Sequence, residues 1–212
     1  MQIENNMIRR RQKRLVPPKR AISVAFATSL AHDGGKFLPV AARPVPKDDN
    51  APPNTLNQLV TTFDSDRSLA GFMFDVKAKQ PIAIHSMDIN AVKTSQDVRI
   101  EVWTKQGSFE GDEQREDAWT LWANDTIIGN GLDVPTAIPP EIVVPINVSP
   151  NERRAFYISF PDGAYLRYST NANGELDYTN ADLILYSNGA AKRKGFEGNA
   201  IAPRLFSGAL HY

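Results

Sequence analysis

The densest group of side chains that could do chemistry lies in residues 110–117, EGDEQRED. Its carboxylates include those of Asp112, Glu113, Glu116 and Asp117. Carboxylates at such short spacing could ligate calcium through oxygen, or serve as a general acid and base. However, Arg115 stands among them and no histidine is near. Interleaved charges of both signs are typical of a solvated loop, which is our prediction, with a calcium site as the alternative.

The flanking segments predict where this loop lies. Residues 98–105, VRIEVWTK, alternate apolar and polar side chains, and this period of two predicts a half-buried strand. Residues 118–129, AWTLWANDTIIG, are rich in aromatic and β-branched residues and predict the next strand. Between them, Gly107 and Gly111 permit backbone angles that other residues avoid. We therefore expect the acidic segment to connect two strands at the end of a sheet.

A second oxygen-rich segment, residues 169–180 (STNANGELDYTN), is spaced rather like a calcium loop, with Gly174 at its turn. Ser169 and Asn180 stand where anchoring carboxylates would be required, so a polar hairpin turn is the prediction. The histidines, which are His32, His85 and His211, are widely separated in sequence. His85 is expected to be a structural or surface residue and not a ligand.

Motifs of the common enzyme classes are missing from the sequence. It contains no Gly-x-Ser-x-Gly elbow, no His-Glu-x-x-His, no phosphate loop and no dinucleotide fingerprint. It also contains no cysteine, which excludes disulfides, thiolate zinc sites and cysteine catalysis. We therefore predict a non-enzymatic protein with no catalytic residue, no metal site, no cofactor and no small-molecule substrate.

The residue composition and the hydrophobic pattern of the chain change near residue 59. Residues 1–58 are basic and then proline-rich, which predicts an extended arm and linker. From residue 59 onward, short strand-like runs alternate with turn residues, and no segment has a helical period. The predicted strands are residues 71–78, 81–91, 98–105, 118–129, 141–148, 153–160, 164–169, 181–187 and 203–212. This pattern predicts an all-β fold: an antiparallel, jelly-roll-like β-sandwich of eight or nine strands over residues 59–212.

A net charge of zero conceals an uneven distribution. The first 20 residues hold seven basic residues against Glu4 alone, a balance of +6, and the remainder has a balance of −6. The basic residues of the arm are Arg9, Arg10, Arg11, Lys13, Arg14, Lys19 and Arg20. We predict that they contact other copies of the chain or other subunits of an assembly, with nucleic acid as a further possible partner.

The same arm has features of a targeting segment. Its charged run precedes a short apolar stretch, AISVAFATSLA, as in a secretory signal. Pro17 and Pro18 interrupt this pattern, so an ordered assembly arm is the preferred interpretation. No apolar run approaches the roughly 20 residues that span a bilayer, so no membrane span is predicted.

Several motifs follow each other in a recognisable order. They are FDVKAKQPIAIHSMDINA, VRIEVWTKQGSFEG, AWTL, PTAIPPEIVVPINV, RRAFYISFPDGAYLRYS, ADLILYSNGAAKRKGFEG and APRLFSGALHY. Together they resemble a family of uncharacterised β-sandwich modules found in secreted and surface proteins of bacteria and algae. The resemblance covers residues 60–212 and implies a fold and an interaction role, but no reaction.

Two functional hypotheses remain. In the first, the protein is a structural β-sandwich subunit of a shell, coat or virion, of capsid or capsid-decorating type, whose arm contacts neighbouring subunits. This hypothesis favours a location in a virion or in an extracellular or surface assembly. In the second, it is an extracellular module that binds carbohydrate or another surface polymer, with Trp103, Trp119 or Trp122 as stacking platforms. The basic arm favours the first, since a carbohydrate module does not require it.

Overall fold

The computed structural model describes residues 56–163, 165–170 and 177–212. Within these ranges the chain is almost entirely antiparallel β-structure, which confirms the predicted all-β sandwich. The basic residues of the predicted arm and residues 171–176 of the oxygen-rich segment lie outside the described residues. No helix in the described part of the chain is long and apolar enough to cross a membrane.

Sixteen strands form the described structure, and most of them are short. In chain order they are β1 (Gln58–Val60), β2 (Arg67–Leu69), β3 (Gly71–Ala78), β4 (Ile82–Ile84), β5 (Ser86–Asn90), β6 (Thr94–Gln106), β7 (Thr120–Asn130) and β8 (Pro135–Ile138). They continue with β9 (Ile146–Val148), β10 (Arg153–Ser159), β11 (Leu166–Thr170), β12 (Tyr178–Thr179), β13 (Leu183–Leu185), β14 (Gly189–Lys192), β15 (Ala200–Phe206) and β16 (Gly208–His211). Two short 3-10 turns accompany them, at Glu116–Ala118 and Pro140–Ile142.

The strands form one large sheet and two smaller ones. The large sheet has the order β2-β11-β15-β14-β3-β10-β6-β7, with β13 pairing β3 and β12 pairing β13. It is curled into a half-barrel. A second sheet has the order β1-β16-β5-β8, and β4 pairs β9 separately.

The main core lies between the large sheet and the four-stranded sheet. Phe72 and Phe74 on β3 and Phe156 on β10 belong to the same buried cluster as Met87 on β5 and Leu210 on β16. The Phe74 ring lies 4.2 Å from the Phe206 ring and 5.7 Å from the Phe156 ring. Burial of these large rings removes much apolar surface from water and stabilises the sandwich.

Some predicted strands are interrupted in the structure. Residues 141–148 do not form one strand, because the 3-10 turn at Pro140–Ile142 and the loop before β9 replace its first part. Pro140 and Pro145 have no backbone N–H to donate to a sheet, which explains the interruption. Likewise, residues 81–91 form two strands that separate at His85. The observed strands therefore outnumber the eight or nine that were predicted.

Candidate binding groove on the outer face of the large sheet

The outer face of the large sheet carries a second, smaller cluster of buried side chains. It contains Met73, Phe109, Trp119 and Tyr157, with Trp103 and Phe196 partly buried against it. Alternation along β6 explains the division, because Val98, Ile100 and Val102 point into the main core while Glu101 and Trp103 lie on the other face. Both faces of this sheet therefore carry buried apolar side chains, and the outer face is only partly covered.

Strand register aligns two rows of side chains across this face. One row consists of Tyr157, Trp103 and Leu121, and the next consists of Ser159, Glu101 and Asn124, from β10, β6 and β7 respectively. Apart from Tyr157, the residues of these two rows form the floor of a groove of about 460 Å³. Its other lining residues are Glu116, Pro161, Lys194, Gly195, Phe196 and Glu197. We call this site the outer groove.

Phe196 is the aromatic wall of the outer groove. Its ring lies 5.3 Å from Trp103 and 4.9 Å from Tyr157, both in edge-to-face geometry, which is a favoured arrangement for aromatic pairs. It stands between Gly195 (φ 36°) and Gly198 (φ 77°), whose positive φ angles let the loop turn tightly around it. Sequence reasoning assigned Phe196 no role; the signal available was a single aromatic residue between two glycines.

Trp103 is the tryptophan that lines the outer groove. It is half-buried, and its indole N–H is buried without a hydrogen-bond acceptor among the described residues. A buried donor without an acceptor costs about 1 to 3 kcal/mol. Trp103 therefore presents an apolar ring at the groove, while its indole N–H has no hydrogen-bond acceptor among the described residues.

The other two tryptophans predicted as stacking platforms do not line the outer groove. Trp119 is only 7% exposed, and its indole N–H donates to the Asp112 carbonyl oxygen at 3.0 Å. Trp122 packs against the main core near Phe156, and its indole N–H donates to the Val144 carbonyl oxygen at 2.7 Å. The three tryptophans therefore do not form one platform.

Lys192 connects two loops beside the outer groove by hydrogen bonds: the acidic segment and the loop that carries Phe196. Its side chain is completely buried, and Nζ donates to the carbonyl oxygens of Glu113 at 2.9 Å and Gly198 at 2.8 Å, with a longer contact to Phe196 at 3.4 Å. Burial lowers the pKa of Lys192, while the nearby Glu113 carboxylate acts in the opposite direction. No pattern in the sequence indicated a role for this lysine, which is the last residue of β14.

The acidic segment, residues 110–117, is an ordered loop whose side chains are largely engaged with their neighbours. Asp112 forms ion pairs with Lys105 at 2.8 Å and Arg115 at 3.0 Å, and the hydrogen bond from Lys105 is the main cause of its lowered pKa. A Glu113 carboxylate oxygen accepts the Gly111 N–H at 2.9 Å. In the described ranges no three acidic or histidine side chains converge as metal ligands. The structure thus accounts for Asp112 and Glu113 by contacts within the loop and with Lys105 on β6.

Gly107 and Gly111 adopt φ angles of 83° and 87°, as their positions in the connection predicted. Beneath this connection, Asp75 is completely buried and accepts hydrogen bonds from the Ser108 hydroxyl (2.6 Å) and the Phe109 N–H (3.1 Å). Its carboxylate also pairs with Arg153 at 2.7 Å. Burial raises the pKa of Asp75, against the opposing effect of these donors. Asp75 therefore anchors the acidic loop to the sheet.

The two ends of the second oxygen-rich segment are also used by the fold. The Ser169 hydroxyl donates to the Asp64 carbonyl oxygen at 2.6 Å. Asn180 Oδ1 accepts the Asp182 N–H at 2.9 Å and the Leu183 N–H at 3.0 Å. Residues 171–176, with Gly174, lie outside the described residues. Ser169 and Asn180 have structural roles, but β11 pairs with β2 and β15 whereas β12 pairs with β13, so these two strands do not form the predicted hairpin.

Two of the histidines approach each other despite their separation in sequence. The His85 N–H donates to the His211 carbonyl oxygen at 2.8 Å, and His211 Nε2 lies 3.0 Å from an Asp88 carboxylate oxygen. His32 lies outside the described residues. The contacts of His85 and His211 tie β16 to the start of β5, which is a structural role.

Comparison with protein-family models found no match, and comparison with curated proteins found none either. The resemblance to secreted and surface β-sandwich modules therefore remains a prediction from the sequence motifs. The fold and the outer groove are the basis for any functional proposal.

Proposed function

We propose that residues 56–212 form a non-enzymatic binding module that holds a carbohydrate polymer in the outer groove. The observation that carries this proposal is the juxtaposition of Trp103 and Phe196 with the polar side chains of Glu101, Asn124 and Ser159. Sugar rings present apolar C–H faces and a rim of hydroxyl groups. A groove with aromatic rings beside hydrogen-bonding groups matches both features.

Binding is favoured over hydrolysis because two of the three carboxylates that line the groove are engaged in ion pairs. Glu101 pairs with Arg99 at 2.8 Å, and Glu197 pairs with Lys194 at 2.7 Å. A glycosidase requires two carboxyl groups on opposite sides of the scissile bond, one of them held protonated. The hydrogen bond from Lys194 lowers the pKa of Glu197, so Glu197 is a poor candidate for the protonated acid.

The test compares tryptophans inside and outside the outer groove. Isothermal titration of the full chain with soluble β-1,4-linked hexasaccharides of glucose and of N-acetylglucosamine measures binding directly. Trp103→Ala should weaken binding by about tenfold or more, which corresponds to about 1.4 kcal/mol. Trp122→Ala is the matched control, since it removes an equal, partly buried side chain from the opposite face. Equal affinities for Trp103→Ala and the unchanged protein would refute the proposal.

Assembly is the second candidate, and the uneven charge of the chain favours it. The +6 balance of residues 1–20 complements the −6 balance of the remainder, as contacts between copies would require. Deletion of residues 2–55 leaves β1 intact and tests this candidate. An unchanged particle mass after the deletion would exclude a role of the arm in assembly.

A further inference from the structure

We infer that the outer groove selects cationic, amino-bearing sugars over neutral and anionic ones; this inference rests on the proposed function. The groove lining includes three carboxylates, from Glu101, Glu116 and Glu197, and one ammonium group, from Lys194. Carboxylates stand on the floor, at the 3-10 turn and on the loop that carries Phe196. A ligand bound in the groove would therefore lie near carboxylates on several sides.

The cations near the groove are already paired. Lys194 Nζ lies 2.7 Å from a Glu197 oxygen, and Arg99 lies 2.8 Å from a Glu101 oxygen. An anionic sugar would have to break one of these pairs to gain a partner, and it would meet the remaining carboxylates. Like charges brought together on binding reduce affinity, so sulfated and uronic polymers are disfavoured.

Glu116 provides the selective contact. Its side chain is exposed at the start of the 3-10 turn, and no ion pair to it occurs among the described residues. A protonated amino group on a bound sugar could donate a charge-assisted hydrogen bond to this carboxylate. The partner class is thus a polymer or oligomer of amino sugars, bound through its ring faces at Trp103 and Phe196 and through its ammonium groups at Glu116.

The experiment titrates the full chain at pH 6 with three hexasaccharides: of glucosamine, of N-acetylglucosamine and of a uronic acid. Glucosamine hexasaccharide should bind about fivefold more tightly than its acetylated counterpart at low salt, the size of an exposed ion pair. The advantage should shrink at 0.5 M salt, because exposed charges are screened. It should also be lost in Glu116→Gln.

Glu141→Gln is the matched control, since Glu141 is likewise an exposed carboxylate of a 3-10 turn but lies outside the groove lining. This variant should keep the full preference. Equal binding of the glucosamine and acetylated hexasaccharides, or tighter binding of the uronic one, would overturn the inference while leaving the proposed function standing. Failure of all three to bind would overturn both.

Discussion

The buried Lys192 ammonium lies 2.9 Å from the Glu113 carbonyl oxygen and joins the acidic loop to the loop that carries Phe196. It spans 79 residues of sequence to do so. Both loops line the outer groove, so one buried cation holds two of its walls. The energetic effect of burying a charge depends on how well it is hydrogen-bonded, and here backbone carbonyls supply the acceptors.

Replacing Lys192 should loosen both loops. Lys192→Met keeps most of the side-chain volume but leaves the three carbonyl oxygens without their donor, so we expect a loss of about 1 to 3 kcal/mol in the free energy of unfolding. Amide hydrogen exchange should rise in residues 110–119 and 193–199. Lys194→Met, at an exposed pair with Glu197, is the control and should change stability by less than about 0.5 kcal/mol. Unchanged exchange in both loops would contradict the assigned role of Lys192.

Asp75 should contribute strongly to stability. Asp75→Ala leaves the Arg153 guanidinium, the Ser108 hydroxyl and the Phe109 N–H without their buried acceptor, and breaking such an arrangement costs about 3 to 5 kcal/mol. Urea unfolding measures the loss. Asp117→Ala is the control, because its side chain is 76% exposed and only a weak pair to Arg115 is removed. A similar, small change in both variants would show that Asp75 does not anchor the loop.

Tyr157 should make stability fall at alkaline pH. Burial raises the pKa of its hydroxyl from 10.0 to about 12, with the nearby Ser159 side chain opposing this effect and the Glu101 charge adding to it. A raised pKa means that the unfolded chain loses this proton first, so the contribution is complete below pH 10 and is lost as the pH rises through about 12.

The corresponding measurement compares the unchanged protein with Tyr157→Phe. From pH 9 to pH 11.5, the unchanged protein should lose about 2 kcal/mol relative to the variant, which is most of the roughly 2.7 kcal/mol that a two-unit shift is worth. Other titrating groups are common to both proteins and cancel in the difference. Parallel pH profiles would show that Tyr157 ionises as readily in the folded protein as in the unfolded chain.

Strands with alternating or continuously apolar residues could be predicted well from the sequence. β3 has the predicted bounds, and the alternation in β6 correctly separated Val98, Ile100 and Val102 from the residues of the outer face. β14 was missed because its residues are buried on both sides, so GAAK shows no period of two. β8 was missed because Pro135 and the short length weaken any strand signal.

The outer groove could be predicted only in part. Trp103 was a candidate from its residue type, but its alignment with Tyr157 and Leu121 depends on strand pairing between distant segments. Trp119 and Trp122 have the same residue type, and only the fold separates them from Trp103. Phe196 reaches the site through a loop conformation that depends on Lys192, a contact that local sequence patterns do not encode.

Chemical-shift mapping of the isotope-labelled full chain with glucosamine hexasaccharide tests the central claim most directly. Binding in the outer groove should shift the Trp103 indole N–H, which has no acceptor among the described residues, together with the amides of Leu121, Asn124 and Phe196. The Trp122 indole N–H, bonded to Val144 on the other face, should stay unchanged. Shifts confined to residues outside the groove lining, or no shifts at millimolar ligand, would contradict the account.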